Sequence, residues 1–163
     1  MPRYAETPAE LPTIADTLSV SGLEFMQKVL TGEFSGPPIG KTLNYTLSRV
    51  EEGLAEFRGT PTFAFTNPMG TLHGGWYGTL LDSAMACAVM TRVPKGSVYT
   101  TLEYKINILR SIPLGTEIAC VGTCQHAGRS TGIAVGEIRG VEDGRLYATG
   151  STTCIIMPMA TKA

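Results

Sequence analysis

From Gly74 to Met90 the chain reads GGWYGTLLDSAMACAVM, small and apolar throughout and lacking the period-two alternation of a half-buried strand. Such a run predicts a helix buried on most of its sides. Everything after it reads differently. The segments Val98 to Arg110, Thr116 to Gln125, Thr131 to Arg139 and Leu146 to Met157 are rich in β-branched residues. Turn-forming runs precede or separate them: Pro94-Lys95-Gly96, Pro113-Leu114-Gly115, Ala127-Gly128-Arg129 and Glu142-Asp143-Gly144. They predict four strands in a meander. Upstream, Thr42 to Val50 and Leu54 to Gly59 flank Glu51-Glu52-Gly53 and predict a hairpin. One face of such a sheet needs an apolar cover, and only one long helix is available. The expected class is α+β, an antiparallel sheet wrapped around one central helix.

Residues 22–31 place Leu23, Met26, Val29 and Leu30 at helical spacing, and the run SGPPIG at 35–40 ends that short helix. Residues 1–20 read as a loosely held arm. The expected organisation is an N-terminal arm and short helix over 1–41 and the main unit over 42–163, in one domain, since 163 residues suit a single core. Only 17% of the residues are charged, below the globular norm, which points to surface covered by a second copy of the chain. Thirteen basic and fourteen acidic residues, without a basic block, argue against nucleic acid. The longest apolar stretch, Leu80 to Met90, contains Asp82 and falls far short of the ~20 residues that cross a bilayer. The N-terminus lacks the charged-then-apolar order of a secretory signal, so a cytoplasmic address is expected.

Asp82 is the only carboxylate or cation between Gly74 and Thr91. Burial disfavours a charged carboxylate, so Asp82 must be protonated, hydrogen-bonded (to Thr79 or Ser83, for instance) or poised as a base. Immediately upstream, Asn67-Pro68-Met69-Gly70-Thr71-Leu72-His73 delivers Gly74 and Gly75 to the start of the helix. The first N–H groups of a helix lack internal partners and sit at the positive end of its dipole, which suits a developing oxyanion. Gly74 and Asp82 are eight helical residues apart, about 12 Å at ~1.5 Å per residue, too far to touch one reacting carbon. If both act in one step, the carboxylate comes from Asp82 of the partner subunit, in a composite site at a dimer interface. No metal is expected. Cys120 and Cys124 would lie about 13 Å apart on an extended strand, while zinc ligands converge on one ion. Cys87, in the apolar helix without a histidine at helical spacing, is not a nucleophile.

The stretch NPMGTLHGG at 67–75 followed by Asp82, with TLEYKINILR at 101–110 and Pro113-Leu114-Gly115 downstream, resembles the hotdog-fold thioesterases. Within them the resemblance is to the PaaI-like acyl-CoA thioesterases of the phenylacetic acid degradation type, over residues 42–157. It implies hydrolysis of an acyl-CoA to free acid and coenzyme A, with the Gly74 N–H holding the oxyanion and His73 buttressing that loop. It further implies Asn67 holding the attacking water, Asp82 of the partner subunit as base or nucleophile, and Thr101 orienting the water. Period-two counting puts Thr100, not Thr101, on a face with Val98, Leu102, Tyr104 and Ile106, so Thr100 is its rival. Arg110 and Arg129, with Ser130 and Gly75, are the candidate contacts to the coenzyme A portion. Trp76, Tyr77, Leu80 and Met85 are candidates to line an acyl pocket, and the N-terminal forty residues either close that pocket or cap the sheet edge. A homodimer is the expected minimum, with a homotetramer as the larger form. No cofactor is implied, coenzyme A being part of the substrate. The alternatives are a hydroxyacyl dehydratase or hydratase with His73 as base, and a non-catalytic acyl-CoA-binding module.

Overall fold

The computed structural model describes residues 2–159; residue 1 and residues 160–163, at the outer ends of the two expected ranges, lie outside the described residues. The N-terminal segment is not the loose arm its sequence suggests. Gly36 N–H donates to the Arg3 carbonyl and Ala5 N–H to the Gly36 carbonyl, at 2.7 and 2.9 Å, and the Tyr4 hydroxyl donates to the carbonyl of Tyr45. Extended backbone at 3–5 needs partners for its polar groups, and the proline-rich run near 36 supplies them. Helix α1 (Ile14–Ser19) starts in a capping box between Thr13 and Asp16. Helix α2 (Gly22–Thr31) is capped by Ser21 and stopped by Gly32 at φ 83°. In place of an unstructured break, residues 38–42 form the short helix α3 (Pro38–Thr42), with proline in its first turn.

Strands β1 (Tyr45–Glu51) and β2 (Leu54–Gly59) form the expected hairpin, and helix α4 (Gly74–Met90) follows. Strands β3 (Ser97–Ile108), β4 (Ile118–Ala127), β5 (Thr131–Gly140) and β6 (Leu146–Pro158) complete the chain. The described strands form one antiparallel sheet in the order β1-β2-β4-β5-β6-β3. The predicted four-strand meander is therefore corrected: β4, β5 and β6 follow one another, but β3 lies beyond β6 at the sheet edge. The reason lies in the nine residues between β3 and β4, too many for a tight hairpin. They cross the end of the sheet, with Leu109 and Arg110 N–H donating to the Tyr147 carbonyl and Gly115 N–H to the Pro61 carbonyl. Ile112, 1% exposed, anchors the crossing in the core.

Helix α4 lies on one face of this sheet, with Leu80, Leu81, Met85 and Val89 fully buried beneath it. The approach is close enough to dictate sequence. A Cβ on Gly122 of β4 would stand 2.1 Å from the carbonyl oxygen of Ala84, so only glycine fits at that crossing. No helix among the described residues is long and apolar enough to cross a membrane.

Candidate functional site

Helix α4 is not buried all round. Gly74, Gly75, Thr79, Asp82, Ser83 and Cys87 remain at least partly accessible, and their spacing of three to four residues draws one open stripe along the helix. At its head, His73 is the N-cap: its Nδ1 accepts the Gly75 N–H at 2.9 Å. That bond leaves the imidazole proton on Nε2. It also satisfies the Gly75 N–H, whereas the Gly74 N–H has no acceptor among the described residues. One oriented, unsatisfied donor thus sits at the positive end of a 17-residue helix.

The preceding loop is held by Asn67. Its Oδ1 accepts from Met69 and Thr71 N–H at 2.9 and 3.3 Å, and its Nδ2 donates to the Thr71 hydroxyl at 2.8 Å. The His73 N–H, donating to the Phe65 carbonyl at 2.9 Å, closes the loop's base. The carboxamide is turned into its own loop, so this geometry makes Asn67 the residue that shapes the approach to Gly74.

Asp82 lies two turns further along. Its Oδ1 accepts from the Thr101 hydroxyl at 2.9 Å, and neither Thr79 nor Ser83 bonds it: Thr79 donates to the Gly75 carbonyl, and Ser83 pairs with the Tyr45 hydroxyl at 3.0 Å. Desolvation raises the Asp82 pKa above the ordinary carboxylate value, and the Thr101 hydrogen bond partly offsets this. Thr100 is exposed. Period-two counting misassigns the pair because β3 carries a bulge between Thr101 and Glu103. Tyr99 and Thr101 face α4 before the bulge; after it the parity flips, and Tyr104, Ile106 and Ile108 lie against the small residues Gly78 and Gly74.

The remaining predicted residues fall at two ends. Arg110 lies at the Gly74 end: its carbonyl accepts from the Tyr77 hydroxyl, and its guanidinium donates to the Leu146 carbonyl at 2.7 Å. Arg129 and Ser130 are exposed in the β4–β5 turn, close to Gly132, which packs on Val89 near the far end of α4. Within one protomer the structure brings together His73, Gly74 and Gly75, with Arg110 held by Tyr77 one turn further along α4, and separately Asp82 and Thr101. Gly74 and Asp82 stay about 12 Å apart along an unbroken helix. Trp76, Tyr77, Leu80 and Met85 are core residues, each 3% exposed or less, and none of them lines the cavity beside Asp82.

Sequence reasoning missed what flanks Asp82. A cavity of about 440 Å³ opens beside the stripe, between Ser83, Cys87 and Met90 of α4 and Phe25, Met26 and Val29 of α2. Burial among these elements pushes the Cys87 thiol up to about 12, which keeps it protonated and unreactive. The accessible positions 83 and 87, one turn apart, were the available signal, but the apolar composition of the whole run conceals which face is open.

Residues 69–147 match the family described as the thioesterase superfamily. Mouse acyl-coenzyme A thioesterase 13 is 30% identical over 88 residues, 54% of this chain and 62% of that protein, so the match spans less than two thirds of that relative. Among solved structures, a phenylacetic acid degradation-related protein from Ralstonia eutropha JMP134 is 30% identical with a TM-score of 0.72, covering 80% of this chain and 98% of that one. A thioesterase family protein from Silicibacter pomeroyi is 26% identical with a TM-score of 0.69, covering 74% and 90%.

Proposed function

Since the chain belongs to the thioesterase superfamily, on a PaaI-like hotdog fold, we propose that it hydrolyses acyl-CoA thioesters to a free acid and coenzyme A. The observation that carries this reading is the pairing, on one open helix stripe, of an unsatisfied Gly74 N–H with a desolvated, threonine-bonded Asp82. The thioester oxygen lies against the Gly74 N–H. Asp82 takes a proton from water through the oxygen not held by Thr101 while that water adds to the thioester carbon. The negative charge that builds on the carbonyl oxygen is held by the Gly74 donor. Collapse of the tetrahedral intermediate breaks the C–S bond, and coenzyme A leaves as the thiol with the proton that Asp82 returns.

The two groups meet only in a dimer, where Gly74 of one protomer faces Asp82 of the partner subunit. Two features support this. Strand β3 is a sheet edge, and Leu102, Tyr104 and Ile108 on it are 59%, 46% and 45% exposed, an apolar edge of the kind a second chain covers. The open stripe of α4 lies beside it, with Gly74 against Ile108 and Asp82 bonded to Thr101. In this arrangement Arg110 stands with the oxyanion donor, as the arginine better placed for the phosphates of coenzyme A. Arg129 comes to the site with the protomer that supplies Asp82.

Thiol release from acyl-CoA, followed in wild type and in Asp82→Asn, tests the reading. Asparagine keeps the shape and cannot take the proton, so turnover should fall by roughly 10²–10⁴-fold, the scale of a lost general base. Wild-type turnover in Asp82→Asn would remove the aspartate from the chemistry.

A further inference from the structure

The cavity beside α4 is walled on one side by the chain's own N-terminal segment, all of it outside the matched residues 69–147. Protein interiors are close-packed, and an apolar void of about 440 Å³ left unfilled costs stability. Its size falls within the range of small-molecule sites, roughly 300–1,000 Å³. Phe25, Met26 and Val29 of α2 and Leu47 and Phe57 of the hairpin line it. Arg3 is the one charged residue in the wall among those described, and its guanidinium donates to the Gly32 and Glu33 carbonyls. The polar groups nearest the site, the Tyr45 and Ser83 hydroxyls, bond each other. Apart from Arg3, the wall of the chamber carries no charged side chain among the described residues.

Its position is as telling as its lining. Ser83, Cys87 and Met90 follow one another along α4, so the chamber runs ~10 Å down the helix at ~1.5 Å per residue. It begins at the residue after Asp82. A thioester carbon placed against the Asp82 carboxylate would therefore have the mouth of an apolar tunnel directly beside it.

We propose that this chamber holds the acyl group of the substrate, and that the N-terminal segment makes the enzyme selective for uncharged, medium-length acyl chains. The inference rests on the thioester-hydrolase reading of Asp82. It assigns the acyl group to the protomer that supplies the carboxylate, while the oxyanion donor comes from the other. A short acyl group leaves the chamber empty and gains nothing from it. An acyl chain charged at its far end must leave water for a wall whose one charged group among the described residues, Arg3, is already hydrogen-bonded to the Gly32 and Glu33 carbonyls.

Non-hydrolysable thioethers separate binding from turnover. The full-length protein is titrated calorimetrically with octyl-CoA and methyl-CoA, alongside two variants that narrow the chamber, Val29→Phe on α2 and Thr17→Trp on α1, with thermal unfolding as the check on folding. Burying the additional methylenes should make octyl-CoA bind at least about tenfold tighter than methyl-CoA. Each folded variant should cut that ratio to about threefold or less, and Thr17→Trp, at a half-covered position, decides if Val29→Phe does not fold. Equal binding of the two thioethers by wild type, or an undiminished ratio in a folded variant, would overturn the proposal. Absence of thiol release from every acyl-CoA would instead refute the hydrolase reading, while the thioether ratio still decides the chamber.

Discussion

Asp82 is pulled in two directions. Desolvation favours its protonated form, and the Thr101 hydroxyl donated to Oδ1 favours its ionised form. Removing the hydroxyl leaves desolvation unopposed, so Thr101→Val raises the Asp82 pKa further. As the proposed base, Asp82 must be ionised to act, and a higher pKa means that a higher pH is needed to ionise it. The acidic limb of the kcat/KM profile should therefore move to higher pH in Thr101→Val, by up to about one pH unit for the loss of one hydrogen bond to a charged group. A limb that stays in place, or moves to lower pH, would show that this bond does not tune the base. Asp82 is legible in the sequence because one carboxylate in an apolar helix has few explanations. Thr101 is legible only through family resemblance, since a β-bulge, which residue parity does not encode, decides the facing of β3.

At the scale of elements, α4 runs from Gly74 to Met90 as its composition predicts, and the turn residues mark β3 to β6 to within about two residues, whereas β1 begins at Tyr45, three residues after the expected Thr42, which ends α3. The place of β3 is not legible, because pairing depends on where the long β3–β4 connection anchors, through Tyr147 and Pro61, far away in the chain. His73 caps α4 through a ring nitrogen, and this separates its structural share from any chemical one. His73→Ala removes the cap and should lower stability by about 1 kcal/mol. His73→Asn restores a good capping acceptor and should recover most of that loss, as read from urea midpoints. Equal destabilisation by both substitutions would mean that the imidazole acts through packing and not through its bond to Gly75.

For the molecule as a whole, low charge and the spacing of Gly74 from Asp82 raise the expectation of a dimer from the sequence, and the proposed shared site would use the apolar β3 edge beside the open stripe of α4. The role of the N-terminal forty residues is not legible in the sequence, because their pairing to residue 36 and their packing over α4 are tertiary contacts without a local pattern. Complementation between two inactive variants tests the shared site. Gly74→Pro deletes only the N–H at the first helical position, where proline is well accepted, and Asp82→Asn deletes only the base. A mixed dimer has one site with both groups intact and one with neither, as two-fold symmetry requires. If the active site is shared between protomers, co-expressing the two variants at equal levels restores about a quarter of wild-type thiol release. If it lies within one chain, the mixture stays as inactive as either parent, and the composite site is refuted.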